Sequence, residues 1–485
     1  MFKCLFNNNN AYKYLYNGDW MESDTSRTIK IYSPADGSIV GEIQAMSTQE
    51  VDRAILNASE AQKKWAAIPV NKRAEVLERT ADILEQQTDV ISQVIMKEIA
   101  KRKSSARDEV KRTAEYIRFT AEEGRRITGE TLYSDAFPGY DRSKISVVTR
   151  VPLGVVLAIS PFNYPVNLSA SKIAPALVAG NSVVFKPATQ GAVSGLYLSR
   201  AFCEAGVPAG VLNVITGRGS EIGDYSVTHP LINMIAFTGG SENGMHIAKE
   251  AGMVPMLMEL GGKDAAIVLE DCNIDETVEN IVGGAFSYSG QRCTAVKRVL
   301  VMNGIADKLV EKLADKISKL KVGMPEDDAD ITPLIDEKAA DFAMELMDDA
   351  VDKGAKVVLG YRREGTIVYP ALLDNVTADM RIAWEEPFGP VLPIMRVKND
   401  EEAIYIANKS EYGLQSSIFT HDINRAFAIA GKLEVGTVQL NAKTERGPDH
   451  FPFIGVKSSG MGTQGIKYTI EAMTRNKAIV INVNN

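Results

Sequence analysis

The chain has little of what several common kinds of site are built from. Its 485 residues include only four histidines (His229, His246, His421, His450) and four cysteines (Cys4, Cys203, Cys272, Cys293). The cysteines are scattered, with no C-x-x-C pair and no histidine at ligand spacing. That argues against a disulfide framework and against a zinc site, so no metal is expected. The shortage of histidine also weakens a cysteine–histidine protease reading. No stretch approaches the ~18 consecutive apolar residues of a membrane span. The N-terminus carries Lys3 and the asparagine tract 7–10 but no apolar run of signal-peptide length, so a cytoplasmic protein is expected. A net charge of −8 and the lack of any long basic run weigh against general nucleic-acid binding. A pocket for one small phosphorylated ligand stays open, because a few arginines suffice.

With 45% hydrophobic residues the chain can bury a large core, and its length allows two to four domains. Residues 11 to 45 read as short strands and turns, including 12–16 and 28–32. Ser47-x-x-Glu50 is a capping box that opens a helix. A long amphipathic helical region follows from Asn71 to Lys101, broken near 86–88, and another helix runs from Lys103 to Gly124. Strand-helix units then alternate, with strands at 155–159, 182–186, 211–216, 234–238 and 265–269. A second set lies at 298–302, 356–358, 391–397, 416–420 and 437–441. That alternation predicts a mostly parallel α/β sheet covered on both faces. The alternating segment 144–151 and the β-rich tail 477–483 stand apart from it. No internal repeat is evident.

Three stretches carry chemistry. Ser287-Tyr-Ser-Gly-Gln-Arg-Cys-Thr-Ala295 delivers a thiol into a Gly/Ser-rich loop, with Arg292 beside Cys293 and Gly290 permitting close backbone approach. An isolated cysteine is more often an ordinary buried residue. Two further stretches argue otherwise. Met258-Glu-Leu-Gly-Gly-Lys-Asp264 places a carboxylate before two glycines, and Ile159-Ser-Pro-Phe-Asn-Tyr-Pro165 ends a strand in a turn bearing Asn163. Thiol, carboxylate and amide are the groups needed to oxidise an aldehyde through a covalent thioester. With Glu385-Glu-Pro-Phe-Gly-Pro390 added, the sequence resembles the aldehyde dehydrogenase superfamily along nearly its whole length. The likeness is greatest to the non-phosphorylating, NADP-dependent branch that acts on glyceraldehyde 3-phosphate.

The resemblance implies two Rossmann-related open-sheet α/β domains plus a small β oligomerisation arm. Their expected bounds are 1–132 with 153–264 for the NADP-binding domain, 265–465 for the catalytic domain, and 133–152 with 466–485 for the arm. In this superfamily such arm strands cross to a partner, which implies a dimer or a dimer of dimers, with a homotetramer expected. From the residues alone, exposed β-rich edges say only that something must cover them.

Two glycine turns could hold a pyrophosphate at a helix N-terminus. Thr216-Gly-Arg-Gly-Ser-Glu-Ile-Gly223 has G-x-G-x-x-x-G spacing, a weak fingerprint that a tight strand-to-helix turn explains equally well. Phe237-Thr-Gly-Gly-Ser-Glu-Asn-Gly244 is the second. The resemblance puts the cofactor at this second turn, with Ser160, Asp224, Thr238, Gly239, Gly240 and Leu260 among its contacts. The family pattern has Ser where Gly240 stands, so one hydroxyl contact is expected to be missing. Lys186-Pro-Ala-Thr189 would read the adenosine end. Many NAD-using members carry Glu at the place of Thr189. A carboxylate there would repel a 2′-phosphate, so Thr189 implies NADP preference. Glu386 would hold the nicotinamide ribose, with Phe388 near the ring.

The implied chemistry has Cys293 attacking the aldehyde, Asn163 and the Cys293 N–H stabilising the oxyanion, and Glu259 as general base for the hydrolytic water. Arg112, Tyr164, Arg292 and Arg446 would grip the substrate phosphate, with Thr294 beside them. Without the resemblance, only Arg292 is placed near the thiol, by adjacency. Lys297 and Arg298 begin the next strand and receive no role. Other readings are a dehydrogenase for another anionic aldehyde such as succinate semialdehyde, a CoA-acylating enzyme, and a non-catalytic protein. Glu259 disfavours the second and the intact thiol–carboxylate–amide set the third.

Overall fold

The computed structural model describes residues 5–6 and 11–483. Cys4, Lys3 and the asparagine tract 7–10 lie outside the described residues.

Two parallel sheets organise the chain. The first has the strand order Leu212–Val214, Ser182–Lys186, Val155–Ile159, Ile232–Thr238, Met256–Glu259, Gly460–Met461. All its pairings are parallel except the last, an antiparallel strand returning from near the C-terminus. In chain order the parallel strands therefore read 3-2-1-4-5. The order reverses between Val155–Ile159 and Ile232–Thr238, and the crevice beyond the carboxyl ends of such strands is where ligands bind in open α/β sheets.

The second sheet runs Lys356–Leu359, Ala371–Asp374, Val391–Val397, Arg298–Met302, Ala265–Val268, Gln415–Phe419, Thr437–Leu440, with only the first strand antiparallel to its neighbour. Residues 260–264 carry the chain from the carboxyl end of one sheet straight to the amino end of the other. The site is assembled at that junction.

Strands buried on both faces read as apolar runs, which is why Val155–Ile159, Ser182–Lys186, Arg298–Met302 and Val391–Val397 fall where the sequence puts them. The helix-rich first third also follows its pattern. Ser47 and Glu50 form the expected capping box, and the break near 86–88 separates helices Val70–Gln86 and Thr88–Ile99. Helix Lys103–Gly124 keeps its bounds.

One helix has no counterpart in the periodicity. Asn167–Ala179 is buried at every position, so it has no polar face to set a 3.6-residue rhythm. Helix Lys103–Gly124 packs on it so closely that a Cβ at Gly124 would lie 2.2 Å from Val178 Cγ2.

A three-stranded antiparallel sheet stands apart, in the order Thr474–Asn482, Lys144–Pro152, Glu130–Tyr133. Strand Thr474–Asn482 is exposed from its second residue onward. Helix Ile466–Ala472, grouped above with the arm, packs on helices Lys103–Gly124 and Asn167–Ala179, with Ile466 and Ile470 buried. Among the described residues no helix is long and apolar enough to cross a membrane.

Candidate active site

Cys293 is delivered by a strained turn. Helix Ile274–Phe286 ends at a one-turn 3-10 segment, Ser287–Gly290, in which Tyr288, Ser289 and Gly290 take φ of +52°, +53° and +74°. Left-handed backbone is unfavourable for the first two, and they are held by tertiary bonds. Tyr288 Oη donates to Ile99 O at 2.9 Å, while Ser289 Oγ donates to Thr332 O and accepts from Thr332 N. At Gly290 a Cβ would sit 2.3 Å from Gly389 O, so only glycine lets the thiol turn touch the 385–390 motif.

The thiol's neighbours set its proton affinity. Burial first, and then the Glu259 carboxylate, push the Cys293 thiol up to about 12, against a lowering by Lys297. Lys297 was given no role above. Its ammonium lies 3.0 Å from Glu386 Oε1 and also donates to Cys293 O, tying the two motifs together. Glu259 ends strand Met256–Glu259, which hydrogen-bonds alongside Thr238. Its Oε2 accepts from Thr238 Oγ1 at 2.8 Å, and Lys172 Nζ donates to that hydroxyl at 2.6 Å. Lys172 lies 4.0 Å from the carboxylate itself. Burial lowers the Lys172 pKa to about 8, and Glu259 works in the opposite sense.

Asn163 is buried in the turn after strand Val155–Ile159. Its Nδ2 donates to Gln291 O at 2.9 Å, two residues before the thiol. Its Oδ1 has no hydrogen-bond partner among the described residues.

Arg112, Tyr164, Arg292, Thr294 and Arg446 line one cavity of about 220 Å³ with Cys293. Asn167, Leu168 and Glu445 complete it. The three arginines come from a helix, the thiol turn and a late loop, so only the fold brings them together. They do not arrive as free cations. Arg112 pairs in fork geometry with Asp449, at 2.8 Å to each oxygen, and donates to Arg446 O at 2.9 Å. Arg446 pairs with Glu259 and donates to Gln464 Oε1 at 3.0 Å. Arg292 donates to Thr444 O and Thr294 O and to the Ser287 hydroxyl.

The proposed cofactor residues gather at the reversal point of the first sheet. Ser160 N donates to Lys186 O, and Ser160 Oγ accepts from Ser169 Oγ at 2.8 Å. Gly239 N donates to Glu259 O, and Gly240 caps helix Ser241–Glu250 with open space where a Cβ would be. Leu260 fills the hollow at Gly244, whose Cβ would lie 2.4 Å from Leu260 Cδ2. Thr189 Oγ1 donates to Gly217 O at 3.4 Å, which places the first glycine turn beside the Lys186–Thr189 segment. Phe388, at φ +44°, meets Phe162 edge-on with centroids 6.0 Å apart. Asp224 lies apart from these contacts, on an exposed stretch of helix Gly219–Thr228, with His246 Nε2 at 2.8 Å.

Two of these groups are placed to take a polar ligand. Lys186 is buried, and burial alone lowers its pKa to about 8. Glu386 Oε1 is paired with the Lys297 ammonium at 3.0 Å, and Oε2 faces Gly261, where a Cβ would lie 2.3 Å from it. An anion beside Lys186 and a hydroxyl donating to Glu386 Oε2 would suit these two groups, and a phosphorylated dinucleotide supplies both.

The family model of the aldehyde dehydrogenases matches residues 20–479. The chain belongs to the aldehyde dehydrogenase family. It is 58% identical over 472 residues to the NADP-dependent glyceraldehyde-3-phosphate dehydrogenase of Streptococcus equinus, covering 97% of this chain and 99% of that one. Identity to the enzyme of the same name from Pisum sativum is 52%, over 98% of this chain and 96% of the relative. Among solved structures, the NADP-dependent glyceraldehyde-3-phosphate dehydrogenase of Bacillus halodurans C-125, complexed with NADP, superposes with a TM-score of 0.97 at 56% identity. That match covers 98% of this chain and 100% of the other.

Several residues of this aldehyde dehydrogenase site escaped the sequence reading: Lys101, Glu109, Asn167, Lys172, Lys297 and Asp449. Lys172 had a usable signal, being the only charge in the apolar run 166–180. Lys101 had none, since it sits in Lys101-Arg-Lys103 and reads as solvated.

Proposed function

We propose that this chain oxidises D-glyceraldehyde 3-phosphate to 3-phosphoglycerate with NADP, irreversibly and without inorganic phosphate. The observation that carries the proposal is the lining of one cavity by Cys293, Tyr164 and the guanidinium groups of Arg112, Arg292 and Arg446. A thiol next to a clamp of that charge suits an aldehyde with a dianionic tail. The printed names of the most similar relatives agree with it.

In this reading Lys186 and Thr189 hold the 2′-phosphate end of NADP, the Thr238–Gly240 turn its pyrophosphate and Glu386 its nicotinamide ribose. When bound, the cofactor accepts hydride from the substrate carbon. The chain's own residues do the rest. The Cys293 thiol gives its proton to water, its sulfur adds to the aldehyde carbon, and the charge on the carbonyl oxygen falls to Asn163 Nδ2 and the Cys293 N–H. Such a donor is worth ~3 kcal/mol in the transition state. To serve there, Asn163 Nδ2 exchanges Gln291 O for the oxyanion. Loss of hydride leaves a thioester at Cys293. Glu259 then takes a proton from water, the resulting hydroxide attacks the thioester carbon, and the acid departs as the thiol is restored. Arg446, paired with Glu259 here, would turn to the phosphate in the same cycle.

Assembly as a dimer of dimers through strand Thr474–Asn482 belongs to the same proposal. Ile479, Val480 and Ile481 stand exposed on that free edge, and covering them would bury apolar surface and pair the unpaired backbone. Scattered cysteines fit a cytoplasmic location.

The test is a ranking of kcat/KM with NADP for glyceraldehyde 3-phosphate, glyceraldehyde and succinate semialdehyde, with and without inorganic phosphate. The phosphorylated aldehyde should lead, phosphate should not be consumed, and Cys293→Ser should be inactive. A lead for the carboxylated aldehyde defeats the substrate assignment.

A further inference from the structure

A fully buried ion pair lies behind the site. Lys101 Nζ and Glu109 Oε2 are 2.5 Å apart, with side-chain exposures of 1% and 0%. Buried pairs of this kind add little net stability over apolar residues of the same volume, so stability by itself does not explain one. What distinguishes this pair is where its remaining bonds go.

Lys101 Nζ donates to Asn163 O at 2.8 Å. It also sits over the face of the Tyr164 ring, 3.5 Å from the centroid, and 4.7 Å from that of Tyr288. Glu109 Oε1 accepts from Val166 N at 2.9 Å and Asn167 N at 3.1 Å, at the start of helix Asn167–Ala179. The pair thus grips the amide residue, the tyrosine of the cavity wall, the first turn of the next helix and the strained residue 288 of the thiol turn. Glu109 lies one helical turn before Arg112, on the helix that brings that arginine to the cavity.

We propose that Lys101 and Glu109 are positioning residues that fix the oxyanion donor Asn163 and the anion-gripping Tyr164 relative to Cys293. The inference rests on the roles given to Asn163 and Tyr164 above. Lys101 acts through the backbone carbonyl of residue 163 and not on the substrate. Among the described residues the side chain of Asn163 is held by a single bond, to Gln291 O, so a shift in its backbone is passed directly to its amide. A displacement of ~1 Å at such a group can lower a rate about 10²-fold.

A double-mutant cycle between Lys101→Met and Asn163→Ala tests this, read as the rate of the first turnover with NADP. Asn163→Ala should slow it about 10²- to 10³-fold. Lys101→Met should slow it at least about tenfold in the wild-type background and have almost no further effect in Asn163→Ala. Lys101→Met/Glu109→Leu removes both charges together and guards against simple unfolding. It should recover the thermal midpoint lost in Lys101→Met while leaving the first turnover slow. Additive effects in the cycle, or recovery of rate together with midpoint, would overturn the proposal. If Asn163→Ala by itself leaves the rate unchanged, the failure lies with the role of Asn163.

Discussion

Gly261→Ala isolates the acid that we assign to the nicotinamide ribose. A Cβ built at Gly261 falls 2.3 Å from Glu386 Oε2 and 3.3 Å from Ser241 Oγ. The first is an impossible contact, so Oε2 must retreat by ~1 Å to reach ordinary packing distance, and a hydrogen bond lengthened by that much is no longer one. Oε2 is the far end of the Glu386 side chain and can swing aside while Oε1 keeps its pair with Lys297. The fold should therefore tolerate the change, with the thermal midpoint moving by no more than a few degrees, about 1 kcal/mol. The binding loss should be larger. Hydrogen bonds to a charged group contribute ~1.5–3 kcal/mol each, so the Kd for NADP should rise about 10- to 150-fold. Fluorescence titration and a thermal melt on the same preparation measure both. An unchanged Kd alongside an unchanged midpoint would refute the placement of Glu386. A midpoint drop matching the binding loss would make Gly261 a folding residue.

The pH dependence of cofactor choice follows from Lys186, whose pKa burial lowers to about 8. Below that value the ammonium is charged and, in the proposed role, would pair with the 2′-phosphate; above it the charge is lost. The advantage of NADP over NAD in kcat/KM should therefore shrink as pH rises from 8 to 10, and Lys186→Met should remove the trend. Glu259→Gln deletes the largest electrostatic contribution that raises the Cys293 thiol, so the thiol pKa should fall and alkylation by iodoacetamide at pH 8 should quicken while thioester hydrolysis stops. Slower alkylation would instead make Glu259 the base that takes the thiol's proton. Gly290→Ala adds left-handed strain of ~1–2 kcal/mol to a clash with the fixed carbonyl of Gly389; urea unfolding should show at least that loss, and activity should fall with it.

Local pattern was enough for most of the framework. Apolar runs of β-branched residues placed the inner strands of both sheets, and the capping box at Ser47 and Glu50 marked a helix start. The four motifs named the family and singled out a thiol, a carboxylate and an amide as candidates, because each is a contiguous chemical signature that a loop needs wherever it ends up. Local pattern failed where burial was complete. Helix Asn167–Ala179 shows no periodicity, since a helix without a wet face has nothing to alternate.

Tertiary structure decided the partnerships. Residues 112, 292 and 446 are far apart in sequence, and no spacing rule predicts that their side chains share a cavity, or that Asp449 and Glu259 already occupy two of them. The buried lysines teach the same lesson. Lys101 looks like a solvated helix end, and Lys297 like the first residue of a strand, yet each is almost fully buried and bonded to the backbone of a site residue. Charge and hydrophobicity are written in the sequence residue by residue. Whether a charge meets water, a carboxylate or an aromatic ring depends on which distant segments pack against it, and that is set only when the chain closes on itself.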